Sequence, residues 1–381
     1  MNFRDLERQY HILKKEMDST VLAVLADSKN YIGGPSINEL ETQLADYIGV
    51  KHCITCANGT DALVISLLAW GIGSGDAVFV PDFTFFSTGE SVSFVGATPV
   101  FVDVDPDTFN ISPESLEKKI KEVIKDGMLR PKVAIAVDLF GLPADYMAIK
   151  KVVKQYGLLL LEDGAQGFGG CIGDKHSCGF GDISTTSFFP SKPLGCYGDG
   201  GAVFTNDYDI ADLIRSLKVH GKGQDKYDNV RIGLNSRLDT IQAAILLVKF
   251  KAFRDFELNS VNKVAKTYSD RLDDRVLIPK VPKGFLSAWA AYTIRLSSCH
   301  ERDKLREHLF KNDIPTMIYY PRPLHRQRAF LEGNLSQNDF VNSVALSETV
   351  LSLPIHAYIS EFEMSSIIQE VNGFIKKYRK E

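Results

Sequence analysis

What this 381-residue chain lacks narrows its possibilities first. No apolar run approaches the twenty or so residues that cross a bilayer. The opening Met1-Asn2-Phe3-Arg4-Asp5-Leu6-Glu7 carries charge where a secretory signal would place its apolar segment, so a cytoplasmic protein with no membrane partner is expected. A basic excess is missing as well: 44 Lys and Arg against 48 Asp and Glu leave a formal charge of −4. Beyond the short tail Lys376-Lys377-Tyr378-Arg379-Lys380, read as a solvated helix end, nothing would track a phosphodiester backbone, and no nucleic-acid partner is expected. Six cysteines are scattered through a chain too large to need disulfide staples, and reduced thiols are expected. Cys53-Ile54-Thr55-Cys56 fits C-x-x-C, but it alternates with apolar residues on a strand-like run and no second pair completes a zinc site. We read it as packing and expect no metal.

What is there is an α/β pattern. Strand-like runs at His52–Cys56, Ala77–Pro81, Pro99–Asp103, Val133–Asp138, Leu158–Glu162, Ile183–Phe188 and Ala202–Thr205 alternate with helical stretches at Asp61–Trp70, Ser112–Lys125 and Ala144–Tyr156. The second helix is read as opening on a capping box at Ser112-Pro113-Glu114-Ser115. Such alternation predicts a mostly parallel mixed sheet sandwiched by helices. A helix from Arg237 to about Phe253 is apolar over more than one face, which suits burial against a partner as well as against its own core. From about 255 the texture changes to longer helices and few strands. We therefore expect a large domain over 1–250 and a smaller α+β domain over 251–381, with the N-terminal helix packing on the latter.

Lys192 carries the chemistry. It follows the strand Ile183–Phe188 in Ser187-Phe188-Phe189-Pro190-Ser191-Lys192, downstream of the buried run that ends Leu161-Glu162-Asp163. An amine can form a Schiff base with pyridoxal phosphate, and a carboxylate at a strand end can keep the pyridine nitrogen protonated. Asn58-Gly59-Thr60-Asp61 lies where a strand turns into a helix, with free amides and a hydroxyl at the positive end of the helix, a seat for phosphate as well as an ordinary N-cap. Ser187 can add a hydroxyl. Other readings fall away: a Walker B role for Asp163 needs a G-x-x-x-x-G-K-[ST] that is not there, since Gly221-Lys222-Gly223 does not supply it. Gly195, Gly198, Gly200 and Gly201 precede a strand and are no dinucleotide fingerprint; they mark a loop whose backbone passes close to something.

Taken in order, Cys56-Ala57-Asn58-Gly59-Thr60-Asp61-Ala62-Leu63, Pro81-Asp82-Phe83-Thr84-Phe85, Leu161-Glu162-Asp163-Gly164-Ala165-Gln166, Ser187-Phe188-Phe189-Pro190-Ser191-Lys192, Gly198-Asp199-Gly200-Gly201 and Gly233-Leu234-Asn235-Ser236-Arg237-Leu238-Asp239 resemble the DegT/DnrJ/EryC1/StrS sugar-nucleotide aminotransferases along nearly the whole chain. These are fold type I, aspartate-aminotransferase-like enzymes that use pyridoxal 5′-phosphate. The resemblance implies that Lys192 bears the cofactor, Asp163 bonds its pyridine nitrogen and Gln166 lies against its phenolic oxygen. It further implies that Gly59, Thr60 and Ser187 hold the phosphate, joined by Asn235 of the neighbouring subunit of a homodimer with shared active sites. Phe85 matches the ring-stacking position, while Phe83 and Phe86 point elsewhere.

For the substrate, the loop Pro190-Ser191-Lys192-Pro193-Leu194-Gly195 followed by Tyr197-Gly198-Asp199-Gly200-Gly201 resembles the branch that aminates C3 of a 3-keto sugar. Within it, 187–201 and 231–247 look most like enzymes acting on UDP-linked 2-acetamido-3-oxo-glucuronate. The runners-up are dTDP-3-keto-6-deoxyhexose enzymes, then C4 aminotransferases and the related dehydratases, which carry histidine where Lys192 stands. Glutamate is the implied amino donor. Tyr319-Tyr320-Pro321-Arg322-Pro323-Leu324-His325 resembles the family's substrate loop, with Tyr319 in place of the usual histidine. Tyr319, Tyr320, His325 and Arg237 are thus candidate substrate contacts. Arg237 has helix capping or pairing with Asp239 as its alternative, and His220 and Tyr227 are weaker candidates.

Overall fold

The structure is a computed structural model that describes residues 1–225, 227–330 and 339–378. Two helices lead, α1 (Leu6–Ala26) and α2 (Pro35–Ile48). Strands and helices then alternate: β1 (His52–Cys56), α3 (Gly59–Ala69), β2 (Asp76–Pro81), α4 (Phe86–Phe94), β3 (Thr98–Val102), α5 (Pro113–Asp126), β4 (Arg130–Val137), α6 (Tyr146–Tyr156) and β5 (Leu159–Asp163). A short hairpin, β6 (Cys171–Ile172) and β7 (Lys175–His176), precedes β8 (Ile183–Ser187), β9 (Gly201–Thr205) and α7 (Tyr208–Leu217). The remainder holds α8 (Thr240–Ala252), α9 (Leu258–Arg271), β10 (Phe285–Leu286), β11 (Tyr292–Arg295), α10 (Cys299–Lys311), α11 (Val341–Thr349), β12 (Val350–Leu353) and α12 (Glu361–Tyr378).

Seven strands form one sheet in the order β1-β9-β8-β5-β4-β2-β3. They are the seven runs expected from the sequence, with ends moved by up to three residues. β2, β3, β4, β5 and β8 pair in parallel, and β9 runs antiparallel to both β8 and β1, with Val203 opposite Ile54. The period-two alternation of a strand decides which helices cover it. Ile54, Val78, Val80 and Val203 face α3, α4 and α7. Ala77, Phe79, Ala134 and Leu160 face α5 and α6, and Cys53, Ala202 and Phe204 face α2 and α8. Burial on both faces explains why these strands read as nearly continuous apolar runs.

Several expectations change in detail. The Ser112 hydroxyl does accept from Ser115 N at 3.1 Å, but serine rather than glutamate stands third after the cap, so the reciprocal half of a capping box is missing and Glu114 instead accepts from the Ser112 hydroxyl. The helix expected from Arg237 begins at Thr240, with Asp239 in the cap position, and continues through a wide turn at Phe253–Glu257 into α9. Its broad apolar stripe needs no partner chain. Ala243, Ile245, Leu246 and Phe250 are buried with Met17 of α1, Leu40 and Leu44 of α2, and the sheet.

The expected division at 250/251 falls inside this helical run. A separate apolar cluster beyond it gathers α9, α10, α12 and the two-stranded β11/β12 around Tyr268, Tyr292 and Ile294. α1 touches both parts: it packs on α8 through Met17 and reaches α12 through Arg8, whose guanidinium makes two 3.0 Å bonds to Glu363. All six cysteines are free thiols, and Cys53 and Cys56 are buried in β1 as packing residues. No helix among the described residues is long and apolar enough to cross a membrane, and no group of three or more metal-binding side chains is found among them.

Candidate active site

Where the parallel strands end and helix N-termini face them, a cavity of about 540 Å³ opens, within the size range of small-molecule sites. Segments far apart in the chain line it, among them the β1–α3 turn, the start of α4, the ends of β5 and β8, the Ser191–Lys192 turn, and Tyr319-Tyr320. Of the residues singled out in the sequence, Lys192, Asp163, Gln166, Gly59, Thr60, Ser187, Phe85, Tyr319 and Tyr320 meet there.

Asn58 caps α3 by accepting from Asp61 N at 2.8 Å, leaving the first-turn amides of Gly59 and Thr60 without helical partners. Ser187 closes over this turn. A Cβ added at Gly59 would lie 2.7 Å from Ser187 Cβ, so glycine is what lets the two segments meet. The glycine loop follows similarly: a Cβ at Gly201 would come 2.5 Å from Asn58 O, and the close approach expected there is to the chain's own β1–α3 turn. The Thr60 hydroxyl lies 2.8 Å from that of Ser87, which donates to Glu90.

Asp163, at the end of β5, is 5% exposed. Ala165 N donates to its Oδ1 at 3.2 Å and the Thr88 hydroxyl to its Oδ2 at 3.0 Å. Burial raises the carboxyl above the ordinary aspartate value, against the downward pull of these two donors and of the Lys192 charge. The preceding acid, Glu162, points to the opposite face. It is consumed by the amides of Cys178, Phe180 and Gly181 and the Ser184 hydroxyl, so strand alternation separates a structural acid from a cavity acid.

Lys192 sits on a turn whose main chain donates from its own N to Phe189 O at 2.9 Å. Burial pushes its amine below the ordinary lysine value; Asp163 opposes this and Arg4 adds to it. Gln166 accepts from Phe140 N at 2.9 Å and donates to the Tyr320 hydroxyl at 3.0 Å, which fixes its carboxamide and leaves one N–H to offer. Phe85 is half exposed at the cavity, 6.1 Å from the Tyr320 ring, whereas Phe83 packs edge-on to Phe140 and Phe86 against Phe330.

Three expected contacts lie elsewhere. His325 is 5% exposed and outside the cavity: its Nδ1 is 2.7 Å from Asp82 Oδ2, its amide donates to Asp82 Oδ1, and its ring stacks on Phe340. It is a strut that ties the 319–325 loop to the end of β2 and does not reach this cavity. Asn235 and Arg237 are exposed outside the cavity of their own chain, and Arg237 neither caps α8 nor pairs with Asp239. His220 and Tyr227 are also outside it. Conversely, Phe3, Arg4, Ser87, Thr88, Ala290 and Ala291 carry or line the site without having been singled out. A Thr84/Thr88 pair one helical turn apart was the available signal for one of them; Arg4 had none.

Comparison with known proteins follows the same lines. A model of the DegT/DnrJ/EryC1/StrS aminotransferase family matches residues 11–372. The chain is 42% identical over 360 residues to UDP-2-acetamido-2-deoxy-3-oxo-D-glucuronate aminotransferase of Pseudomonas aeruginosa, covering 94% of this chain and 96% of that one. It is 39% identical over 378 residues to a pleiotropic regulatory protein of Geobacillus stearothermophilus, covering 98% of each. The crystal structure of a DegT DnrJ EryC1 StrS aminotransferase from Brucella abortus matches with a TM-score of 0.94 at 48% identity, over 98% of this chain and 99% of that one.

Proposed function

The chain belongs to the DegT/DnrJ/EryC1/StrS aminotransferase family, and from that premise we propose that it moves an amino group from glutamate to C3 of a nucleotide-linked 3-keto sugar. The favoured acceptor is a UDP-linked 2-acetamido-3-oxo-glucuronate. Pyridoxal 5′-phosphate is the cofactor of this family; when bound, it takes the amino group from the donor and passes it to the ketone while delocalising the electrons released at carbon. The residues present fit it. The Gly59 and Thr60 amides with the Ser187 hydroxyl form a cradle that a Cβ at Gly59 would fill, and a carboxylate held by two donors lies in the same cavity as a lysine whose amine burial pushes below its ordinary value. That convergence of Lys192, Asp163 and the β1–α3 turn is the observation that carries the reading.

Each side chain then has a task. Gly59, Thr60 and Ser187 would anchor the phosphate. Asp163, whose carboxylate form Thr88 and Ala165 N favour against burial, would hold a proton on the ring nitrogen. Gln166 would offer its remaining N–H to the phenolic oxygen, and Phe85 would cover the ring face. Lys192 Nζ takes the proton from the donor's Cα in one half of the cycle and returns a proton to sugar C3 in the other, work for which a lowered amine pKa is suited.

The lysine-loop sequence and the named activity of the Pseudomonas relative support C3 over C4. The presence of both Lys192 and Asp163 at one cavity speaks for catalysis over a purely regulatory role of the kind the Geobacillus relative's name describes. We further propose a homodimer in which Asn235 and Arg237 serve the neighbouring subunit's cavity. Both lie outside their own, on a segment that also exposes Val230 (54%) and Ile232 (94%). In the same reading, 1–250 carries the cofactor and 251–381 forms the smaller part. The protein purified with cofactor should be yellow and bleach with glutamate, and borohydride should fix the cofactor on Lys192 in a peptide map. Mass analysis of products from a panel of 3-keto uronate and 6-deoxyhexose nucleotides identifies the acceptor. No visible band, or label on another lysine, overturns the assignment.

A further inference from the structure

Two cavities share Lys192. Behind it, a chamber of about 50 Å³ is closed by the start of α1, the α8–α9 run and the turn at His356. Arg4 and Lys192 are the two side chains, among the described residues, that line both spaces. Lys249 lines the chamber as well, so three basic side chains gather there. The nearby acids are already engaged: Glu257 accepts from Gln9 Nε2 at 2.7 Å and from the Tyr358 hydroxyl, and Asp163 from Thr88 and Ala165.

Among the described residues Arg4 itself bonds only main-chain carbonyls, Ala290 O at 2.5 Å and Trp289 O at 3.4 Å, both through one terminal nitrogen. No acidic side chain among the described residues forms an ion pair with it. Burial lowers its pKa to about 10, which leaves it a cation at neutral pH. A guanidinium offers five N–H groups in a planar fork that matches a carboxylate, and a largely buried one without an anionic partner is costly to keep. Arg4 lines the substrate cavity together with Lys192, whose amine feels its charge.

We propose that Arg4 receives the α-carboxylate of the amino donor, an inference that rests on the aminotransferase reading above. The carboxylate in question is borne by the very carbon whose proton Lys192 moves, so a cationic fork beside Lys192 is placed to meet it. A uronate carboxylate, the other possible source, is attached farther along the sugar ring from the reacting C3. The two carbonyls that bind one nitrogen of Arg4 orient the fork and leave its remaining donors to the ligand.

The test follows the two half-reactions of holoenzyme separately by the cofactor spectrum, in wild type, Arg4→Gln and Arg4→Lys, with cofactor content and melting temperature as controls of folding. Arg4→Gln is expected to raise the glutamate concentration for half-maximal bleaching tenfold or more, with Arg4→Lys in between. The sugar half-reaction, measured with a uronate and a 6-deoxyhexose nucleotide, should change less than twofold. Unchanged glutamate dependence in Arg4→Gln, against a responsive wild type, overturns the inference alone. A loss confined to the uronate arm overturns it by assigning the fork to the sugar. A wild type that does not respond to glutamate overturns the donor reading and this inference with it.

Discussion

Two lysines, one half-buried and one buried, show how one residue type divides into different tasks. Lys192 faces Asp163 across a cavity, whereas Lys249 is 2% exposed, lies 4.8 Å from the Tyr197 ring centroid and has its pKa pushed from the ordinary 10.5 down to about 8 by burial, with Glu257 and Cys196 opposing and Arg4 adding. Below pH 8 Lys249 is charged in both folded and unfolded chains, and the folded state bears the cost of burying the charge. Between about 8 and 10.5 the folded chain has shed the proton that the unfolded chain keeps, so the cost is relieved as pH rises through that window. Lys249→Met should therefore stabilise the fold at pH 7 by on the order of 1–3 kcal/mol, with the gain fading by pH 10; urea unfolding of both proteins at the two pH values checks this. An equal gain at both would assign the effect to packing. At this scale the sequence announces Lys192 and Asp163 because each follows a recognisable strand. It does not separate His325 from Tyr320, since the partner that turns His325 into a strut, Asp82, lies 243 residues away.

At the scale of elements, the site is a set of ends. The β5 end supplies Asp163, the β8 end Ser187, the α3 start Gly59 and Thr60, and the first turn of α4 supplies Thr88. Strands of this kind are legible because burial on both faces leaves an apolar run between turn residues, which is why all seven were anticipated to within three residues at each end. What packs across them is less so, because a helix stripe records that a face is buried and not by what. The α8 stripe reads as suiting a partner as well as its own core, and its buried residues meet α1, α2 and the sheet. Thr88 illustrates the cost of that gap: only its spacing from Thr84 marks it, yet it is the side-chain donor holding Asp163 Oδ2. Thr88→Val keeps the shape and removes the donor, so burial should push the Asp163 carboxyl further up and weaken its hold on a ring cation. Because a hydrogen bond to a charged group contributes about 1.5–3 kcal/mol, titration of the apoprotein with cofactor should show affinity reduced at least roughly tenfold. Thr88→Ser should stay near wild type and the melting temperatures should match; an unchanged affinity in Thr88→Val would remove Thr88 from the site.

The whole molecule raises the question of whether one chain completes its own site. Asn235 and Arg237 carry the family resemblance yet face solvent outside the cavity, next to Val230 and Ile232, the latter 94% exposed. The two-fold dimer proposed above would resolve this, because an isologous interface would let each segment reach across to the other subunit while its own cavity is served in return. Complementation distinguishes this from a site that simply does not use the segment. Lys192→Ala removes the reacting amine from its own subunit's cavity, and Asn235→Asp sets a negative charge against the phosphate seat of the partner's cavity. Each homodimer should be inactive or nearly so. Mixed under conditions that allow subunit exchange, half of the dimers become hybrids in which both lesions fall on one site and the other site is intact, so activity should recover to roughly a quarter of wild type. If Asn235 acted within its own chain, every hybrid site would carry one lesion and mixing would restore nothing. Ile232→Asp, which places a charge on the exposed apolar face, should shift the protein to monomer in sedimentation and lose activity in parallel, tying catalytic completeness to assembly.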